Sequence, residues 1–291
     1  MAHLDFNVNK VETITLEELK ESVHEVSVGS RPLNGIQHFE LFDRLGEIMT
    51  RRNVEMSLDK IYVASNQSKT LPGTTIIQDR VDKYGPGDHK NFLFRRMLGR
   101  VFIEDGSNPE HNYSIAVSFH QDGIQIGMGP NVRICQNLCI LGSERMISTY
   151  GNEKVDVSKL MDIVDDWMSR RVEYIVKDMR ILDKMKEIEV NFKIARAIIG
   201  ELSILRVFHD NFDSKVPFVL NNSEINRFTE KYLTAVQFNP REPIENHKVI
   251  SLYDFYNNAT DQIKPGKTDL TNLIDTTSQI SKYLMGRFNL S

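Results

Sequence analysis

Chemistry in this chain is most concentrated between Arg80 and Arg100. Arg80, Lys83, Lys90, Arg95, Arg96 and Arg100 are opposed there only by Asp82 and Asp88, and Tyr84, Phe92 and Phe94 are interleaved among them. Cations that track phosphates, beside aromatic faces that stack bases, are what single-stranded nucleic acid recognition requires. Arg44, Arg51 and Arg52 on a preceding helical segment extend the patch. The competing reading is that the aromatics fill a core while the charges solvate a loop.

A second group lies in "NVRICQNLCILGSE", which holds both cysteines, Cys135 and Cys139. Four residues apart, they share one side of a helix or strand. A structural zinc site needs four ligands and usually a second closely spaced pair, and a redox pair needs two intervening residues. Neither pattern is present, so the cysteines read as small buried residues. Arg133 and Asn137 are the more promising members of this run, since a guanidinium and an amide beside a Gly-Pro turn hold a loop or contact phosphate. His120 and Asp122 fall on one face of an alternating segment and are the only anchor for acid/base or metal chemistry. Asp122 is equally suited to a turn. Glu104 and Asp105 are adjacent on a strand and point apart. Phosphate-cradling glycine loops, nucleophile elbows and H-E-x-x-H helices are all missing. No cofactor is expected.

Composition bounds these readings. The 291 residues are 40% hydrophobic and 26% charged, with a net charge of −4 and a pI near 6.1. That is a globular composition without global attraction for polyanions, so nucleic acid binding requires a local patch. Two cysteines do not make a disulfide scaffold, and the opening "MAHLDFNVNKVETITLEELK" has no signal-peptide pattern. No apolar run is long enough to span a bilayer. The expected compartment is the cytoplasm, and no membrane partner is expected.

The elements that position these residues change character near Gly151. Thr15 and Glu18 have capping-box spacing before a short helix. "GSRPLNGIQ" reads as loop, and "HFELFDRLGEIMTRRN" as an amphipathic helix that Asn53 ends. "KIYVAS" and "TTIIQ" are strand candidates. "GRVFIED", "NYSIAVSFH" and "GIQIGMG" form an antiparallel meander, joined by a turn at Asp122-Gly123 and followed by a second turn at "GMGPN". From Val155 a stripe including Leu160, Ile163, Val164, Trp167, Met168, Val172, Val176, Leu182 and Met185 predicts one long core helix over 155–188. Helices follow in 192–208, after Ser223, and in "LYDFYNNATDQI" and "LTNLIDTTSQISKYLMGRF". The expected class is α+β, with an antiparallel sheet domain over 1–150 and a helical region over 151–291 packed on it, or one continuous domain.

The segment "SIAVSFHQDGIQIGMGPNVRICQNLCIL" is similar to phage- and plasmid-borne families of unknown function, the domains of unknown function 932 and 3871. The matching features are the strand, the Asp-Gly turn, the second strand and the run containing Arg133, Cys135, Asn137 and Leu138. "RPLNGIQHFELFDRL" and "SLYDFYNNATDQIK" resemble the early and closing segments of those families. The resemblance implies an accessory protein of a bacteriophage or mobile element in a host cytoplasm, and carries no reaction with it. The leading expectation is non-catalytic binding of single-stranded DNA, with Lys90, Arg95, Arg96 and Arg100 on phosphates and Phe92 or Phe94 stacking. A module for a host or phage protein is the alternative, a metal-dependent enzyme on nucleic acid the third, and homo-oligomers fit the long helices.

Overall fold

The computed structural model describes residues 11–21, 25–28, 31–37, 39–58, 61–65, 94–104, 111–120, 123–132, 137–138, 140–141, 145–150, 156–211, 220–263 and 273–290. Three long strands form the centre of an antiparallel sheet: β6 (Phe94–Glu104), β7 (His111–His120) and β8 (Gly123–Val132). Each outer edge of this meander is shared by two short strands. On β6, β5 (Ile61–Ser65) pairs the first part and β4 (Glu55–Leu58) the second. On β8, β10 (Met146–Tyr150) pairs residues 123–127 and β9 (Asn137–Leu138) pairs 131–132. The strand β1 (Val11–Ile14) closes the sheet beyond β5, making eight strands in all.

Period-2 alternation sorts the central strands into two unlike faces. Met97, Val101, Ile103, Ile115, Val117, Ile124, Ile126 and Met128 pack against α2 (Glu40–Arg51) and α3 (Val157–Ser169). The opposite face carries Leu98, Arg100, Ser114, Ala116, Ser118, Gln125 and Gly127, all buried apart from the glycine's missing side chain. It is covered by the helical second half: α4 (Arg171–Glu187), α5 (Phe192–Asn211), α6 (Asn222–Ala235), α7 (Leu252–Thr260) and α8 (Leu273–Phe288). This architecture is the expected α+β class, and both cores draw residues from both halves of the chain.

Close approach explains two of the glycines. A Cβ at Gly127 would lie 2.6 Å from Ile140 Cδ1 and 3.0 Å from Ile274 Cγ2, so α8 seats directly on the strand. On the other face, a Cβ at Gly99 would fall into the Phe42 ring, 2.8 Å from Cε1. The expected turn at "GMGPN" is therefore strand. Gly127 is there for packing, and Pro130 lies where the outer edge of β8 has no ladder partner among the described residues, between the stretches paired by β10 and β9. "RPLNGIQ" is also not a loop. It forms β3 (Arg31–Gln37), which pairs with β2 (Glu25–Val28) in a two-stranded ribbon whose register shifts between Glu25 and Ser27. A proline is compatible with such an edge, and a pattern search does not see an irregular two-stranded ribbon.

Other local expectations hold, except for the place of Gly123. Thr15 Oγ1 accepts from the Glu18 N–H at 3.1 Å while Glu18 Oε2 accepts from the Thr15 N–H at 2.7 Å, completing the capping box of α1 (Leu16–Glu21). Asn53 follows α2 at φ 51°, a left-handed conformation that asparagine tolerates. His120 lies opposite Gly123, so the β7–β8 register places Gly123 in the ladder rather than in the turn.

The stripe over 155–188 is carried by two helices meeting at Arg170, not by one. Ser169 Oγ donates to the Asp166 carbonyl at 2.7 Å and Arg171 Nη1 to the Met168 carbonyl at 3.2 Å. Side chains that compete for backbone acceptors bend or end a helix, and Arg170 adopts φ −103°, ψ 13°. Hydrophobic spacing is blind to a one-residue break that leaves the phase unchanged. Ile163, Val172 and Val176, counted in the stripe, are exposed.

The core-facing position that the stripe skips is occupied by Asp178, which is fully buried. Arg145, also fully buried, grips it through both terminal nitrogens, Nη2 reaching Oδ1 at 2.7 Å and Nη1 reaching Oδ2. The Tyr113 hydroxyl donates to Asp178 Oδ2 at 2.8 Å, and Arg145 also donates to the Leu141 carbonyl. The guanidinium sits 4.9 Å from the centre of the Tyr174 ring. Burial and the adjacent carboxylate push the Tyr113 phenol well above its ordinary value, so it remains a donor.

Asp178→Asn is expected to leave Arg145 buried without its counter-charge and to cost about 3–5 kcal/mol. The double change Arg145→Met/Asp178→Leu is expected to cost less than either single one, because no lone charge stays buried. Urea unfolding of the three variants measures this. Gly99→Ala should also destabilise, and Phe42→Leu in the same chain should restore part of the loss by vacating the ring's space.

Candidate nucleic-acid interface

The basic stretch singled out in the sequence enters the described structure at β6. Phe94, Arg95 and Arg96 form its first three positions, where β5 pairs with them through Ser65 and Ala64. The first β7 partner on the other side is Phe119, opposite Met97. The strand therefore starts ahead of the meander, with Phe94 and Arg96 paired on the β5 side. The register shifts between Ala64 and Ser65, so Arg95 is the extra residue of a β-bulge between the paired Phe94 and Arg96. Lys90 and Phe92 lie outside the described residues, as do Arg80, Lys83 and Tyr84.

Arg100 is placed differently. It sits mid-strand opposite Ala116, 5% exposed, on the face covered by the second-half helices. Its guanidinium is 5.8 Å from the centre of the Phe102 ring. A side chain so enclosed is part of the packing between sheet and helices and is not presented to a polyanion in solvent.

The arginines that were to extend the patch from α2 are engaged with α3. Arg52 forms a two-pronged pair with Asp165, Nε to Oδ1 at 2.8 Å and Nη2 to Oδ2 at 2.7 Å, and Arg51 reaches the same carboxylate at 3.4 Å. The Arg52 hydrogen bonds hold the Asp165 carboxyl below its ordinary value. Two guanidiniums on one carboxylate leave a partial surplus of positive charge but a fixed geometry. Arg44 is exposed on α2.

Asn137 belongs to the other end of the sheet. It pairs with Val132 on β9, whereas Arg96 lies next to the row Met97–Phe119–Ile124 near the start of β8. Eight residue steps along β8 separate those rows, and Arg96 lies one step further out, about 30 Å in all at the rise of an antiparallel strand. The structure thus keeps Phe94, Arg95 and Arg96 together and sets Asn137 apart from them. Arg133, Cys135, Cys139 and Asp122 lie outside the described residues, and His120 ends β7. Among the described residues no group of three or more His, Cys, Asp or Glu side chains is placed to hold a metal ion. No helix among them is long and apolar enough to cross a membrane.

Sequence reading missed the buried Arg145–Asp178–Tyr113 cluster. The available signal was an acid at the core phase of an apolar helical stripe, since charges seldom sit there unpaired. Nothing in the sequence names Arg145 as its partner.

Comparison with known proteins returns no matching family model, no similar curated protein and no similar solved structure.

Because Asp165 is held below its ordinary value, the Arg52–Asp165 tie contributes stability that is complete above the usual aspartate range. It is lost as pH falls through the lowered value. Asp165→Asn is expected to remove that component, so the variant loses less stability than the wild type between neutral and strongly acidic pH. Urea midpoints across pH test this. Arg100→Ala is expected to lower the unfolding midpoint.

Proposed function

We propose that this protein is a non-catalytic, cytoplasmic accessory protein of a mobile element that binds single-stranded nucleic acid at the leading end of β6. The observation that carries the reading is the placement of Phe94, Arg95 and Arg96. They occupy consecutive positions of a strand that starts before its β7 partner, directly after the arginine- and lysine-containing stretch 80–93 in sequence. Two successive cations at a bulged strand start, next to an aromatic position, suit a flexible phosphate backbone with stackable bases. The mobile-element setting rests on the resemblance of "SIAVSFHQDGIQIGMGPNVRICQNLCIL" and its flanking segments. Arg100 is not assigned a phosphate contact, because it is buried. Asn137 is not assigned to the same footprint, because it lies at the far end of the sheet.

Fluorescence anisotropy with single- and double-stranded oligonucleotides across a salt series tests this. The wild type is expected to prefer single strands and to weaken as salt rises. Arg95→Ala/Arg96→Ala should lower affinity and flatten the log K against log salt slope by roughly 1.4, about 0.7 for each lost phosphate contact. Arg100→Ala, where folded, should leave the slope unchanged. A folded wild type that binds no strand at low salt overturns the proposal.

A further inference from the structure

Helix α5 turns an unusual face to solvent. Its exposed or open positions are Lys193, Arg196, Ala197, Gly200, Ile204, Val207 and Phe208, spaced by three or four residues along one side. Ile204 is 57% exposed, Val207 50% and Phe208 49%, three of the large apolar side chains most open to water in the described structure. The middle of the face is bare, since a Cβ at Gly200 would meet nothing within 4 Å. Glycine in a solvent-facing helix interior is unfavourable relative to alanine, and here no packing against the described residues accounts for it. The amino-terminal part carries only positive charge. The neighbouring acid, Glu201, is bound to α8, where the Tyr283 hydroxyl donates to it at 2.6 Å and Arg287 pairs with it. Those contacts draw the Glu201 carboxyl below its ordinary value.

We infer that this face docks an amphipathic, acidic α-helix of a partner protein. The three apolar side chains supply burial, the Ala197–Gly200 stretch lets a partner backbone approach closely, and Lys193 and Arg196 meet carboxylates on the partner. Lys193 to Phe208 spans about 22 Å of helix, four turns, a length suited to a helix-in-groove contact. Charge decides against a second copy of this chain. Glu201, the acid at the edge of the face, is already tied to Tyr283 and Arg287, so two copies packed antiparallel about Gly200 would set Arg196 against Ile204 and bring no fresh counter-charge to the cations of either copy. Nucleic acid is disfavoured because half of the face is aliphatic or phenyl. This surface is separate from the β6 assignment and does not depend on it.

The test uses the full chain and a fluorescein-labelled synthetic peptide with leucine at helical spacing and glutamate at most other positions, alongside the same peptide with lysine replacing glutamate. The glutamate peptide is expected to bind and the lysine peptide not. Ile204→Asp should weaken binding at least about tenfold, in line with loss of a buried apolar anchor. Lys193→Glu/Arg196→Glu should lose the glutamate peptide and gain the lysine one. Gly200→Gln serves as the folding control: it should raise the melting temperature, because glutamine outranks glycine in a helix, yet abolish binding by filling the bare stretch. Arg95→Ala/Arg96→Ala should bind the peptide as the wild type does, which separates this result from the nucleic-acid assay. Binding of neither peptide, equal binding of both, or undiminished binding by Gly200→Gln overturns the inference. So does sedimentation showing a wild-type dimer that Ile204→Asp dissociates, which would give the face to a second copy.

Discussion

The fold turns on one buried ion pair. Arg145 comes from the segment leading into β10, Asp178 from the middle of α4 and Tyr113 from β7, and together they join three elements remote in sequence. Asp178 marks a boundary along α4. Tyr174 and Ile175 before it belong to the core shared with α2 and α3, whereas Met179, Ile181, Leu182 and Met185 after it belong to the core shared with α5–α8. A helix passing from one face of a sheet to the other needs its register fixed at the crossing. A bidentate arginine–carboxylate pair fixes it in orientation as well as distance. Such a pair gives little net stability over a well-packed apolar substitute, but it is intolerant of losing one partner. Its contribution is to specify one arrangement.

The two faces of the sheet follow from that arrangement. The face toward α2 and α3 is aliphatic and packs by ordinary interdigitation, with the Phe42 ring lying over Gly99. The face toward the later helices is built of small and polar residues, including Ser114, Ser118, Gln125 and Arg100. Helices pressed onto small residues come close to the strand backbone, as Ile274 does at Gly127. The buried polar groups then become part of the sheet–helix interface. The same constraint enclosed Arg100, whereas Arg95 and Arg96 lie at the start of the strand, before its first β7 pair. A charge count along the chain treats the three alike.

The two surfaces proposed to meet partners differ in kind. The leading end of β6 is local in sequence, and its cations were legible as a cluster. The exposed face of α5 is a property of a helix whose other sides are occupied by α6, α8 and the sheet-covering core. From sequence alone, "FKIARAIIGELSILRVF" is apolar nearly all round and gives no indication of which side water reaches. Burial decides which of its apolar residues are core and which are surface.

The sequence by itself determined the elements whose signals are local. These are the Thr15–Glu18 capping box, the amphipathic α2 ending at Asn53, the alternating β7 and β8, and the helical second half, because capping, turn chemistry and periodicity act over a few residues. It misread "GMGPN" and "RPLNGIQ", where glycine and proline serve close packing and an edge ribbon rather than turns. Propensity does not distinguish a glycine chosen for backbone freedom from one chosen for the absence of a side chain. Only the tertiary structure decided that the 155–188 stripe breaks at Arg170, that Asp178 finds Arg145, that Asn137 lies about 30 Å along the strands from Arg96, and that Arg100 is covered. Each of these depends on partners far away in the chain, and pairing across such separations is fixed by mutual burial and charge, not by the spacing of residues along one segment.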